Sequence, residues 1–126
     1  MLLAALPPGC AKKTVQNFTG NDRLMVERAK ELRLAINAYH SETSEYPQEL
    51  TLVQGHLPPG TQWPVNPYNQ QAIRDSGGRE FDPVQSVGTV YYEKYLRDGQ
   101  IAGYRLHVFG EAGWLLIFDN SAFGAQ

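Results

Sequence analysis

The strongest constraint on this chain is an apolar stripe near its start. Met25, Ala29, Leu32, Ile36 and Tyr39 recur at alternate steps of four and three, so a helix gathers all five on one face. The spacing predicts a helix over about 22–40. Either Thr19 or Asn21 can cap it, because a short side-chain oxygen there accepts an orphan N–H of the first turn. Arg23, Glu27, Lys30 and Asn37 fall on the solvated side, and Leu34 projects almost opposite the stripe. One exposed leucine is ordinary, although it can also mark a contact surface. Pro47 requires the helix to stop before it, since proline disfavours helical geometry in the residue it follows. A helix with one apolar face needs an apolar partner, which must come from later in the chain.

The last third supplies that partner. Residues 89–95, 103–109 and 114–118 are β-branched and aromatic runs, separated by Asp98-Gly99 and by the Gly110 to Gly113 segment. Such turn residues between strand-forming runs predict an antiparallel meander. Alternation sets Tyr104, Leu106 and Val108 on one face, toward the helix, with Arg105 and His107 on the other. The expected fold class is α+β: a long N-terminal helix on a C-terminal antiparallel sheet of three strands or slightly more. Its core is expected to join Met25, Leu32, Ile36 and Tyr39 to Leu106 and Val108. Between helix and sheet, residues 41–88 carry six prolines and the Gly77-Gly78 pair. A loop of that length must be pinned by its own apolar residues. Leu50, Leu52, Val53, Leu57, Trp63, Val65, Tyr68, Ile73 and Phe81 are the residues available, with a short helical turn expected near 48–54.

The length of 126 residues suits one domain with one core. Its organisation is read as an N-terminal tail and tether over 1–20, a globular domain over 21–120 and a loose tail over 121–126. Eleven basic against thirteen acidic side chains give a net charge of -2, which argues against a nucleic-acid partner. No apolar run reaches the roughly 18 residues of a membrane span. The single cysteine excludes an internal disulfide and every multi-cysteine metal motif. Its place is informative: Cys10 closes the apolar stretch that begins at Met1, and Lys12 and Lys13 follow. That arrangement resembles the end of a bacterial lipoprotein signal, which implies a lipid on Cys10 and a membrane anchor. The plain alternative is a frayed apolar N-terminus with a free thiol.

Little in the sequence points to catalysis. His40, His56 and His107 are far apart and form no ligand pair at helical spacing. No serine or cysteine stands in a nucleophile motif, and no phosphate-cradling glycine loop opens a helix. The chain is therefore expected not to be an enzyme and to need no cofactor. Asp75, Glu80 and Asp82 share one glycine-containing loop, where hard oxygen ligands could hold calcium. Solvent-facing turn carboxylates are the alternative.

Several segments together are similar to a known family. The helix ending in Leu34 to His40, then Tyr46-Pro47, then the Asn66-Pro67-Tyr68 loop, Asp98-Gly99 and the closing strands resemble type IV pilins and the major, G-like pseudopilins of type II secretion. The resemblance covers roughly 21–120 and implies the family's globular head. Cys10 and a polar tether stand where that family carries an aromatic first mature residue, a glutamate and an apolar half-helix. The resemblance thus implies a non-enzymatic structural or interaction protein of the bacterial envelope. It would be exported, anchored through Cys10, and partnered by other envelope or secretion-apparatus proteins. A small extracytoplasmic lipoprotein that binds a glycan or peptide is the second reading. In it, exposed rings among Trp63, Tyr68, Tyr91, Tyr92 and Trp114 would form a stacking platform.

Overall fold

A computed structural model describes residues 18–120. Helix α1 spans Gly20–Thr43, about 36 Å at 1.5 Å per residue. The stripe is its buried face: Met25, Ala29, Leu32 and Ile36 have no solvent exposure, and Tyr39 is half-buried against the same cluster. Val26 and Ala35 are buried as well, which widens the stripe to the breadth a globular core requires. Leu34 is 54% exposed, as its angular position demands. Both ends differ from expectation. Thr19 occupies the cap position, yet its side chain makes no capping hydrogen bond. At the other end the helix runs one turn past the last apolar residue. There the Ser44 N–H, in a left-handed conformation, donates to His40 O, while the Thr43 hydroxyl donates to Tyr39 O. These bonds satisfy the terminal carbonyls without any apolar contact.

Strands β1 (Val90–Arg97), β2 (Gln100–Phe109) and β3 (Trp114–Asp119) form an antiparallel sheet in the order β1-β2-β3. Asp98 and Gly99 both adopt positive φ, 54° and 79°, which is the two-residue turn that matches strand twist. The register pairs Tyr92 with Leu106 and Leu106 with Phe118. One face therefore carries Val90, Tyr92, Tyr104, Leu106 and Val108 into a cluster with Met25, Leu32 and Ile36. The helix–sheet core is as expected. The opposite face is not simply solvated: His107, on that face with Arg105 as alternation places it, is only 6% exposed. Phe109 is also fully buried, because a register irregularity between Val108 and Phe109 breaks the simple alternation.

The long connection is held at several places. A 3₁₀ turn spans Leu50–His56 and buries Leu50 and Val53. Beyond it, Val65 bridges Ala72, and Asp75 pairs in parallel with Val90 at the edge of β1. The indole N–H of Trp63 donates to Ile73 O at 2.8 Å, and the Arg28 guanidinium reaches from the helix to Val65 O at 2.7 Å. Leu52 and Val65 do not pin the connection as expected, being 48% and 36% exposed. Backbone bonds made around them hold the segment instead.

Candidate functional site

Three places bring chemistry-bearing side chains together, and each is built by the connection meeting the sheet. The first is the Asn66-Pro67-Tyr68 corner. Asn66 is 3% exposed, and both ends of its amide are used. Nδ2 donates to Val87 O at 2.9 Å, and Oδ1 accepts the Tyr68 N–H at 2.8 Å. Gly88, with φ 73°, lies directly on that amide: a Cβ there would sit 2.1 Å from Asn66 Nδ2 and Oδ1. The adjacent Tyr68 hydroxyl donates to the Asp22 carboxylate in the first turn of α1. Burial, followed by that carboxylate, holds the Tyr68 hydroxyl well above the ordinary tyrosine range. This corner is thus a clamp joining helix start, connection and sheet.

The second place is on the face of the sheet away from α1. Glu93 accepts from Arg79 at 2.9 Å and meets His107 Nε2 at 2.8 Å. Tyr91 stacks on the His107 ring at 5.2 Å. Burial alone would raise the Glu93 carboxyl, but the hydrogen bonds from Arg79 and His107 outweigh it and hold the group below the usual carboxylate range. The arrangement ties the loop at residue 79 to both strands. It presents no nucleophile to activate.

The third is a cleft of about 560 Å³ between the 3₁₀ turn and the extended segment at 72–77. Leu50, Trp63, Ala72 and Ile73 form its apolar part, and Glu49, Arg74, Asp75 and Lys94 stand around it.

The calcium candidates are not assembled into one site. Asp75 Oδ1 accepts the N–H groups of Gly77 and Tyr92, at 2.9 and 3.3 Å. Asp82 Oδ1 accepts those of Val84 and Gln85, and these bonds hold its carboxyl below the ordinary range. Glu80 is exposed. Among the described residues, no group of three or more histidine, cysteine, aspartate or glutamate side chains could hold a metal ion. Also among the described residues, no helix is long and apolar enough to cross a membrane. Cys10 lies outside the described residues. The proposed ring platform is dispersed: Tyr92 is 2% exposed with its hydroxyl on Pro47 O, whereas Trp114 is 59% exposed.

The Glu93–His107 pair went unnoticed in the sequence because the hairpin turn suggests the wrong register. Arg97 pairs with Gln100, and counting back sets Glu93 opposite Tyr104. An irregularity between Tyr95 and Leu96 adds one residue and sets Glu93 opposite Arg105. The signal was available in the alternation pattern. Directly opposed residues share a face, so Tyr92 can join Leu106 in the core only if a bulge intervenes. Comparison with protein-family profiles, curated proteins and solved structures returns no match to this chain.

Proposed function

We propose that this domain is the head of a non-enzymatic, pilin- or pseudopilin-like protein of the bacterial envelope. It is exported, held at the membrane by lipid on Cys10, and acts by contact with other components of a type II secretion or type IV pilus apparatus. The observation that carries this reading is where the residues of the resemblance fall. Tyr46, Pro47, Asn66 and Tyr68 are the joints of the domain. The Tyr92 hydroxyl donates to Pro47 O, the Asn120 amide donates to the Tyr46 hydroxyl, and the Asn66-Pro67-Tyr68 corner clamps helix to sheet. Motif residues that hold together a helix, a long connection and a three-stranded meander support a shared head architecture, since each is used where that architecture needs it. The buried polar groups also favour a scaffold. Asn66 and the Glu93–His107 pair serve packing and backbone satisfaction rather than a reacting centre.

The test uses the full-length gene in its own bacterium, with a photo-crosslinking residue at exposed Leu34 and a fatty-acid probe in the medium. The expected result is a probe-labelled protein crosslinked to a secretion or pilus component, with label lost in Cys10→Ser. An unlabelled wild-type protein that crosslinks to no envelope component overturns the reading.

A further inference from the structure

The geometry points to the cleft between the 3₁₀ turn and the segment at 72–77 as a binding site for a sugar ring of a neutral glycan. Its volume of about 560 Å³ falls within the range of small-ligand sites. Trp63 is held rigid there, because its indole N–H is committed to Ile73 O at 2.8 Å. What the half-buried ring offers the cleft is therefore π surface and no further donor. Of the other apolar lining residues, Leu50 and Ile73 are only 3% and 2% exposed, while Ala72 is exposed but adds a single methyl. The one large apolar surface open to the cleft is thus an aromatic ring, the size of one pyranose face.

The polar rim narrows the ligand class. Arg74 and Lys94 contribute two cations, and Glu49 and Asp75 two anions, so the rim has no net charge. A phosphate or nucleic acid would meet two carboxylates, and an acyl chain would leave four charged groups facing it. A polyhydroxyl ligand matches the rim because each hydroxyl both donates and accepts. Three of the rim groups are already positioned: Lys94 Nζ donates to Gln48 O at 2.8 Å, Arg74 Nη2 donates to Gln85 O at 2.6 Å, and Asp75 is fixed by the Gly77 and Tyr92 N–H groups. Among the described residues, the Glu49 and Thr51 side chains have no hydrogen-bond partner, and both border the cleft.

An extended peptide fits less well. Peptides commonly dock by adding a strand to an unpaired backbone edge. The segment lining this cleft is already bonded on both sides. Ile73 N–H donates to Pro64 O and Ile73 O accepts from Trp63, while Arg74 O and Ser76 N–H pair with Val90. A strand added to that segment would have to displace those bonds.

The test is titration of the full 126-residue chain with N,N′-diacetylchitobiose, cellobiose and maltose, followed by indole N–H resonances. The sequence has two tryptophans, and a Trp114→Phe variant assigns the Trp63 signal. At least one disaccharide should shift the Trp63 resonance saturably below about 20 mM, in the weak-affinity range of a one-ring site. Glu49→Gln and Thr51→Val change exposed side chains and leave the core intact. Each should weaken binding about fivefold to tenfold, as loss of one hydrogen bond predicts. No saturable shift with any of the three sugars overturns the inference. So does binding that both variants leave unchanged, or a saturable Trp63 shift produced only by tetra-alanine or decanoate.

Discussion

Replacing Gly88 by alanine should be among the more damaging small changes in this protein, and Asn66 determines how damaging. The new Cβ would lie 2.1–2.2 Å from three atoms of the Asn66 side chain, at a φ of 73°. The left-handed backbone alone costs a non-glycine residue about 1–2 kcal/mol. Relieving the overlap must also push aside an amide that is 3% exposed and bonded to Val87 O and to the Tyr68 N–H. Leaving a buried backbone group unpaired costs about 1–3 kcal/mol; Val87 and Tyr68 are only half-buried, so the two together should cost about 2–4 kcal/mol. Asn66→Ala should therefore destabilise by about 2–4 kcal/mol, and Gly88→Ala by about 3–6 kcal/mol, on the same physical grounds. The cycle is the sharper measurement. With Asn66 already alanine there is no amide to displace, so adding Gly88→Ala should then cost only its backbone share, about 1–2 kcal/mol. Urea unfolding of the four proteins, followed by tryptophan fluorescence and far-UV circular dichroism, yields the coupling energy. Additive losses would refute the reasoning, because they would mean that glycine and amide do not share one space.

Two further outcomes follow from the packing and the charges. Ile36→Ala should cost about 2–5 kcal/mol through lost burial and the cavity left behind, whereas Leu34→Ala, at a side chain 54% exposed, should cost about 0.5 kcal/mol or less; similar urea midpoints for both variants would mean the helix face is misassigned. Because Glu93 titrates below its ordinary range when folded, its stabilising contribution is present above the unfolded carboxylate range and is lost as pH falls through the folded value. Glu93→Gln should accordingly flatten the acid limb of the stability profile, and unfolding midpoints that fall equally steeply with pH in both proteins would contradict the assignment.

The elements and their facing sides were legible in the sequence wherever local periodicity fixes them. The stripe from Met25 to Tyr39, the Asp98-Gly99 turn and the alternation at Tyr104, Leu106 and Val108 are all short-range patterns, and each sits where that pattern places it. Helix length was underestimated because its last turn, ending at Thr43, is held by polar and backbone bonds that leave no hydrophobic trace. The burial of His107 was not legible because alternation reports only which face a residue occupies. It says nothing about what later covers that face, here Glu93 and Tyr91. The acidic loop illustrates a different limit. Asp75 and Asp82 can be read as cation ligands or as turn carboxylates, and their aim at nearby N–H groups shows them as turn acceptors.

What makes the long connection part of the domain is a set of tyrosines, each joining two distant parts of the chain. The hydroxyls of Tyr46, Tyr68, Tyr92 and Tyr104 meet Asn120, Asp22, Pro47 O and Asn37 respectively. Those pairs are separated by 74, 46, 45 and 67 residues. A tyrosine suits this task because its ring adds apolar area to the core while its hydroxyl forms one directional bond at the margin. Burial pushes the Tyr104 hydroxyl up to about 12, so it remains a protonated donor to Asn37 at neutral pH. Tyr46 and Tyr92 both lie against Tyr104, with ring centroids 5.6 and 5.7 Å away. The connection after the helix, strand β1 and strand β2 therefore meet at one aromatic group, from which hydroxyls reach Pro47 and Asn37. Asn37 stays exposed on α1, and this bond ties it to the sheet. The path of the segment at 44–89 is thus fixed by these side-chain contacts together with its scattered backbone bonds, and the cleft beside Trp63 lies where that path runs along the edge of β1.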